Sequence, residues 1–194
     1  MKIGLTGGIG CGKSTAARFF AEAGFRCIDT DQVIKNEVLH QPNVVAAIAQ
    51  HFGPQTLTPA GQVDRAAVAK IVFADALALR WLEDLSHPRL FEILRTKLAE
   101  APSVDYVVEV PLLFEKQLEN WFDFTVCVAT TSKLQIARLE ERGLPKALAE
   151  QRISKQLPLA HKLELADYVL LNDGSPDFLR DQINRLVAQL RERR

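Results

Sequence analysis

Leu5-Thr6-Gly7-Gly8-Ile9-Gly10-Cys11-Gly12-Lys13-Ser14-Thr15 decides how this chain folds. Residues 7–14 match the pattern G-x-x-x-x-G-K-[ST]. An apolar run, residues 2–6, precedes the match and predicts a short buried strand. Residues 13–23 carry helical patterning that stops at Gly24. Strand, glycine-rich loop and helix in that order form a cradle for phosphate groups. Successive backbone N–H groups must converge on the anion, and glycines allow both the backbone angles and the close approach. The helix adds its positive N-terminal end. In such a loop Lys13 reaches the β- and γ-phosphates of a nucleoside triphosphate, Ser14 ligates magnesium, and Thr15 bonds the α-phosphate.

Working outward, strands are predicted at residues 25–28, 104–110, 124–129 and 168–171. Helices are predicted at 32–39, 43–52, 65–73, 75–85, 88–100, 132–142, 146–155 and 177–193. Residues 57–63 are turn-rich. The near-continuous apolar run at 104–110 reads as a central parallel strand covered on both faces. Strands alternating with helices imply an α/β fold, a doubly wound parallel five-stranded sheet. The helical block between the second and third strands, about residues 32–101, is too long for one crossover and reads as an insert. The chain as a whole, 1–194, reads as a single domain.

The 194 residues carry 24 Lys and Arg against 24 Asp and Glu, so net charge does not favour a dedicated nucleic-acid binder. Basic residues are nevertheless concentrated between Lys133 and Lys162, which suits a small polyanionic ligand, or else a solvated helix face. Cys11, Cys27 and Cys127 are odd in number and widely spaced, arguing against a disulfide framework or zinc site. Cys27 and Cys127 lie in apolar runs and are expected in the core. Cys11, near a helix N-terminus, is expected to have a lowered pKa and to be open to oxidation. No apolar run reaches membrane-spanning length, and residues 1–12 do not read as a signal peptide. The expected location is the cytoplasm.

The D-x-x-G and N-K-x-D motifs of GTPases are absent, as is a strand ending in Asp-Glu. Instead Asp29 and Asp31 follow the second strand, at the sheet edge where ligands of open α/β sheets bind. A carboxylate there can accept an alcohol proton or hold magnesium through water; equally, Asp31 can cap a helix starting at Gln32. The loop at residues 5–15, Ile28-Asp29-Thr30-Asp31, His87-Pro88, Val108-Glu109-Val110-Pro111-Leu112-Leu113-Phe114-Glu115 and Ala166-Asp167 with Asn172-Asp173-Gly174 occur in that order. Together they resemble the dephospho-coenzyme A kinases. The resemblance implies a P-loop kinase fold with a helical acceptor-binding insert and a short lid. It implies transfer of the γ-phosphate of ATP, with Mg²⁺, to the ribose 3′-hydroxyl of dephospho-coenzyme A, the last step of coenzyme A synthesis. It places Gly10, Cys11, Gly12, Lys13, Ser14 and Thr15 on ATP and makes Asp31 the base or the magnesium-organising carboxylate. It puts Asp29, His87, Leu112 and Glu115 on the acceptor side. Thr30, where the family often has Ala, and Cys11, where it often has Ser, are departures that remove no chemical group the reaction needs.

Arg138 and Arg142 stand four apart on one helix face, a spacing that costs stability unless an anion joins them. With Gly143 and Pro145 as bends and Arg152 beyond, residues 138–156 resemble the lid of nucleotide-type kinases. Arg138 is then expected to neutralise the moving phosphoryl group and Arg142 to contact ATP. A salt-bridged surface helix is the plainer reading. His87 can simply mark a helix start with Pro88 at the first helical position. Glu109 ends a central strand and can hold a magnesium-bound water or orient the acceptor. Asn172–Ser175 is either an adenine cradle or a turn. Trp81 and Trp121 read mainly as packing residues. Partners are expected to be ATP and dephospho-coenzyme A, with no nucleic acid, no membrane, and a monomer or weak homo-oligomer. The competing functional readings are another small-molecule kinase and a non-catalytic ATP-responsive protein.

Overall fold

Five strands run parallel in the order β2-β3-β1-β4-β5. They are β1, Lys2–Gly7; β2, Arg26–Asp29; β3, Tyr106–Glu109; β4, Phe124–Ala129; and β5, Tyr168–Leu171. The structure is a computed structural model, and it describes residues 1–193. Every residue of β3 is buried, Glu109 included, as the near-continuous apolar run predicts for a central strand. The strand order reverses direction at β1, so the crevice beyond the carboxyl end of β1 is the topological binding position. The register sets the strand ends level there: Leu5 and Asp29 both lie opposite Glu109, and Gly7 lies opposite Val128.

The chain separates into two compact units. The first, residues 1–29 with 103 onward, holds the sheet. Its helices are α1 at Lys13–Glu22, then, after the second unit's α2 (Thr30–Asn36), α3 (Pro42–Phe52), α4 (Arg65–Ala74) and α5 (Ala76–Glu100), α6 at Ser132–Glu141, α7 at Lys146–Ser154, α8 at Leu159–Leu165 and α9 at Pro176–Glu192. Helix α9 shows why the sequence folds so. Ser175 caps it through Phe178 N–H, Pro176 opens it, and Leu179, Ile183, Leu186, Val187 and Leu190 form one buried stripe. That stripe packs with Phe19 and Phe20 of α1 over Ile3, Leu5, Val126 and Val128 of the sheet. On the outer edge of β5, Gln182 donates to Leu171 O at 2.8 Å and accepts from Leu171 N at 2.9 Å.

The second unit, Thr30–Pro102, is helical, with single 3₁₀ turns at Val38–His40 and Pro54–Thr56. Its interior is Val33, Val38, Val44, Ile48, Val68, Val72, Leu90, Leu94 and Leu98. Trp81 stacks on His51 at 3.9 Å and meets Phe52 edge-on, so it is a packing residue.

Four expectations need correction. The helices predicted at 75–85 and 88–100 are one 25-residue helix, α5, with Pro88 inside it. Proline removes a helical N–H, but the Arg89 guanidinium donates to Leu85 O at 2.6 Å and the buried positions Ala78, Ser86, Leu90, Leu94 and Leu98 carry the helix through. His87 is therefore inside a helix and not at its start. Helix α2 begins at Thr30, so Asp31 lies in its first turn and is not the cap. Cys27 is exposed, because β2 is an edge strand with two of its four residues facing outward. Helix α8 has no counterpart among the predicted helices; it is only seven residues long, and the residue it buries is a lysine.

That lysine, Lys162, is fully buried and pairs with Glu115 Oε1 at 2.7 Å while donating to Pro111 O at 2.8 Å. It ties α8 to the segment after β3. Replacing Lys162 by Met strands the Glu115 carboxylate. The expected result is a thermal midpoint roughly 10 °C lower, read by circular dichroism; Glu115→Gln added to Lys162→Met recovers part of the loss.

Candidate active site

The loop between β1 and α1 holds its peptide groups in one sense. Lys13 Nζ donates to Gly7 O and Gly8 O, each at 3.2 Å. Gln135 Nε2 donates to Ile9 O at 2.7 Å, Arg138 to Gly10 O at 3.4 Å, and Asn172 Nδ2 to Cys11 O at 2.8 Å. Five consecutive carbonyls, Gly7 to Cys11, are thus each held by a side-chain donor. The N–H groups of Gly10 and Gly12 have no acceptor among the described residues, and the loop runs straight into the N-terminus of α1. The result is an anion nest at a helix N-terminus.

Glycine is required at two of these positions. Gly10 has φ 79°, and a Cβ there would lie 2.9 Å from Gln135 O. Gly12 has φ 95°, and a Cβ there would run into Asn172 Nδ2. A side chain at either would both strain the backbone and push out the buttress that sets the carbonyls.

Beside the nest, Ser14 Oγ donates to Glu109 Oε1 at 3.4 Å. Glu109 is buried at the end of β3, opposite Asp29 at the end of β2. This is a hydroxyl with hard carboxylate oxygens nearby, a donor set suited to magnesium with its waters. On the other side a cavity of about 280 Å³ is lined by Gly12, Thr15, Arg138, Arg142, Asn172 and Gly174. The Asn172–Ser175 turn therefore borders the loop directly. Arg138 spans the two, donating also to Asn172 O at 2.9 Å. Arg142 ends α6, followed by Gly143 at φ 81° where the chain turns toward α7.

Other expected residues are placed differently. Glu115 is bound to Lys162 and accepts from Leu157 N at 3.0 Å, while its Oε2 is buried with no hydrogen-bond partner among the described residues. Leu112 lies in the turn after β3, its carbonyl accepting from Lys116 N. Asp31 and His87 belong to the second unit, on α2 and α5. Cys11 is fully buried, and burial pushes its thiol up; the Lys13 ammonium only partly offsets this. The expected lowered pKa is overturned, since desolvation outweighs the helix end. Burial likewise pushes the Cys127 thiol up to about 12.

Gln135, Gln156 and Lys162 are site-building residues that the sequence by itself does not single out. No local pattern marks them, because each acts on a segment more than forty residues away.

A family profile for dephospho-CoA kinase matches residues 1–177. This chain belongs to the dephospho-CoA kinase family. A Syntrophotalea carbinolica dephospho-CoA kinase is 38% identical over 192 residues, covering 97% of this chain and 91% of the relative. One from Thermobifida fusca is 35% identical over 195 residues, covering 100% and 98%. Among solved structures, a Thermus thermophilus protein superposes with TM-score 0.84 at 31% identity, covering 98% and 97%. A shikimate kinase from Acinetobacter baumannii, TM-score 0.52 at 17% identity over 100% and 94%, shares the fold. Membership in the dephospho-CoA kinase family makes the chain a phosphotransferase with a nucleotide substrate and an alcohol acceptor. The loop geometry is what that chemistry demands.

Two outcomes check this site. Gly12→Ala should weaken binding of an ATP analogue at least about tenfold by calorimetry, the cost of a strained backbone with a lost buttress. Iodoacetamide near neutral pH should leave Cys11 and Cys127 of the folded protein unmodified, as peptide mass spectrometry would show. Cys27 should react slowly, because partial burial of its sulfur and the nearby Glu109 carboxylate push its thiol up as well.

Proposed function

We propose that this chain phosphorylates the ribose 3′-hydroxyl of dephospho-coenzyme A with ATP, producing coenzyme A in the last step of its synthesis. The observation that carries the proposal is the loop from Gly7 to Cys11, each of whose carbonyls is held by a side-chain donor, leading into the helix that carries Lys13 and Ser14. The acceptor is supported by family membership and by near-complete coverage of the relatives.

In this reading, Gly10–Thr15 take the phosphates of ATP. Lys13 exchanges its bonds to Gly7 O and Gly8 O for the β- and γ-phosphate oxygens. The adenosine end lies in the cavity between Arg142 and the Asn172–Gly174 turn. Ser14 and Glu109 fit magnesium, which when bound would neutralise charge on the β- and γ-phosphates. Arg138, already aimed along the loop, stabilises the spread negative charge of the transferring group. An arginine in that role contributes about 10³–10⁵ in rate.

Asp31 positions the acceptor hydroxyl and takes its proton, a contribution of about 10²–10⁴. That role is supported by the resemblance and by its place two residues beyond Asp29, which ends β2. The resemblance assigns Asp29, His87 and Leu112 to the acceptor side. The resemblance puts Glu115 there too, although its Oε1 is taken by Lys162 and Leu157 N and its Oε2 is buried. No helix among the described residues is long and apolar enough to cross a membrane, and the thiols are free. Action in the cytoplasm, as a monomer or weak homo-oligomer and without nucleic acid, belongs to the same reading.

A substrate panel tests the proposal. With ATP and Mg²⁺, dephospho-coenzyme A should be phosphorylated while shikimate, gluconate and nucleoside monophosphates are not. Phosphorylation of one of those instead, or none at all, overturns it. Asp31→Asn should lose about 10²-fold or more in kcat with ATP-analogue affinity retained. Near-normal turnover by that variant removes Asp31 from the mechanism.

A further inference from the structure

The peptide group joining Gly8 to Ile9 is gripped at both ends. Its carbonyl, Gly8 O, accepts from Lys13 Nζ at 3.2 Å and from Cys11 N at 3.2 Å. Its N–H, on Ile9, donates to Gln156 Oε1 at 2.9 Å. The next peptide is gripped by Gln135 through Ile9 O. Gln156 stands just past α7, where the lid ends, and its backbone is fixed too. The following residue, Leu157, donates to Glu115 Oε1, the oxygen that the buried Lys162 ammonium holds.

Lys13 has three N–H donors, and two of them are on Gly7 O and Gly8 O. Contact with both the β- and γ-phosphates therefore draws at least one of these off, and when it is the bond to Gly8 O, one of the two side-chain anchors on the Gly8–Ile9 peptide is withdrawn. Gln156 is the side-chain anchor left. We infer that Gln156 is a positioning residue for phosphoryl transfer. Held by the Leu157–Glu115–Lys162 tether, it keeps the Gly8–Ile9 peptide oriented while Lys13 serves the phosphates. It touches neither substrate by this account; it acts through the loop.

The geometry dictates what the side chain must supply. Only an acceptor oxygen at the end of a glutamine-length chain satisfies the Ile9 N–H from this position. Methionine keeps the shape and removes the acceptor. Glutamate keeps the acceptor and adds a charge near the nucleotide phosphates. Gly10, Gly12 and the α1 N-terminus still bind phosphate in either variant, so ground-state affinity should change less than turnover.

This inference rests on the assignment of the loop to ATP, which the parent protein's own turnover of dephospho-coenzyme A tests separately. With that turnover in hand, kcat and the KM for ATP are measured for the parent, Gln156→Met and Gln156→Glu. Gln156→Met should lose about tenfold in kcat, the worth of one hydrogen bond to an oriented group, with KM for ATP rising less than about threefold. Gln156→Glu should keep kcat within about threefold of the parent and raise KM through repulsion. In parallel, hydrogen exchange at the Ile9 amide is followed with bound ATP analogue. It should be slow in the parent and in Gln156→Glu, and about tenfold faster or more in Gln156→Met. A Gln156→Met variant with kcat within about twofold of the parent, or with unchanged exchange at Ile9, overturns the inference. So does an equal kcat loss in both variants, because the acceptor oxygen would then not be what matters.

Discussion

Peptide groups are dipoles, and a loop that binds triphosphate must point its negative ends away from the ligand. In this chain that single constraint governs the placement of residues far apart in sequence. The carbonyls of Gly7, Gly8, Ile9, Gly10 and Cys11 are held by Lys13, Gln135, Arg138 and Asn172. Those donors come from α1, α6 and the turn after β5. Each is carried by an element whose own packing fixes it: α6 capped by Thr131, and the Asn172 backbone bonded to Ala129. The sheet order sets β1 between β3 and β4, with β5 beyond β4. That placement brings the loop within reach of Glu109 at the end of β3, of α6 after β4 and of Asn172 after β5. Removing one donor leaves a carbonyl free to swing inward, where it would oppose the phosphates.

The same logic explains why charged groups are buried beside the sheet. Lys162 sits in the interior paired with Glu115 and Pro111 O, an arrangement whose desolvation cost roughly cancels its Coulomb gain. Its contribution is geometric. It fixes the turn after β3 against α8 and the end of the lid. Glu109 is buried at the neighbouring strand end, held by Ser14. Polar groups are concentrated at the carboxyl end of the sheet because chemistry is needed there, while the apolar layers of α1 and α9 stabilise the domain.

The loop and the strands of the sheet are legible in the sequence because their signals are local. Glycine spacing, a lysine before a hydroxyl, and an unbroken apolar run each carry their meaning within a dozen residues. The αβ alternation follows from them, and the five parallel strands agree with it. The features that sequence patterns miss are decided by distant partners. Pro88 reads as a helix break until the Arg89 guanidinium and the buried leucines of α5 are seen to bridge it. Cys27 reads as core until β2 proves to be an edge strand. Helix α8 shows no apolar stripe that marks its inner face, because its inward residue is a lysine paired with a carboxylate forty-seven residues away. In the site, Lys13, Ser14, Arg138 and Asn172 stand out as candidates. Gln135 and Gln156 do not, since a glutamine that holds a backbone group more than a hundred residues away looks like any surface glutamine.

Gln182 occupies both hydrogen-bonding groups of Leu171 on the free side of β5. An unguarded strand edge is a template on which another chain can add its own strand. Here the strand is four residues long, and one of its outward pairs is already satisfied by a side chain of the helix that covers the sheet. At this edge the sheet therefore cannot be extended by a second molecule without first evicting Gln182. Crowded copies of this protein are kept from joining sheet to sheet at that side by one amide.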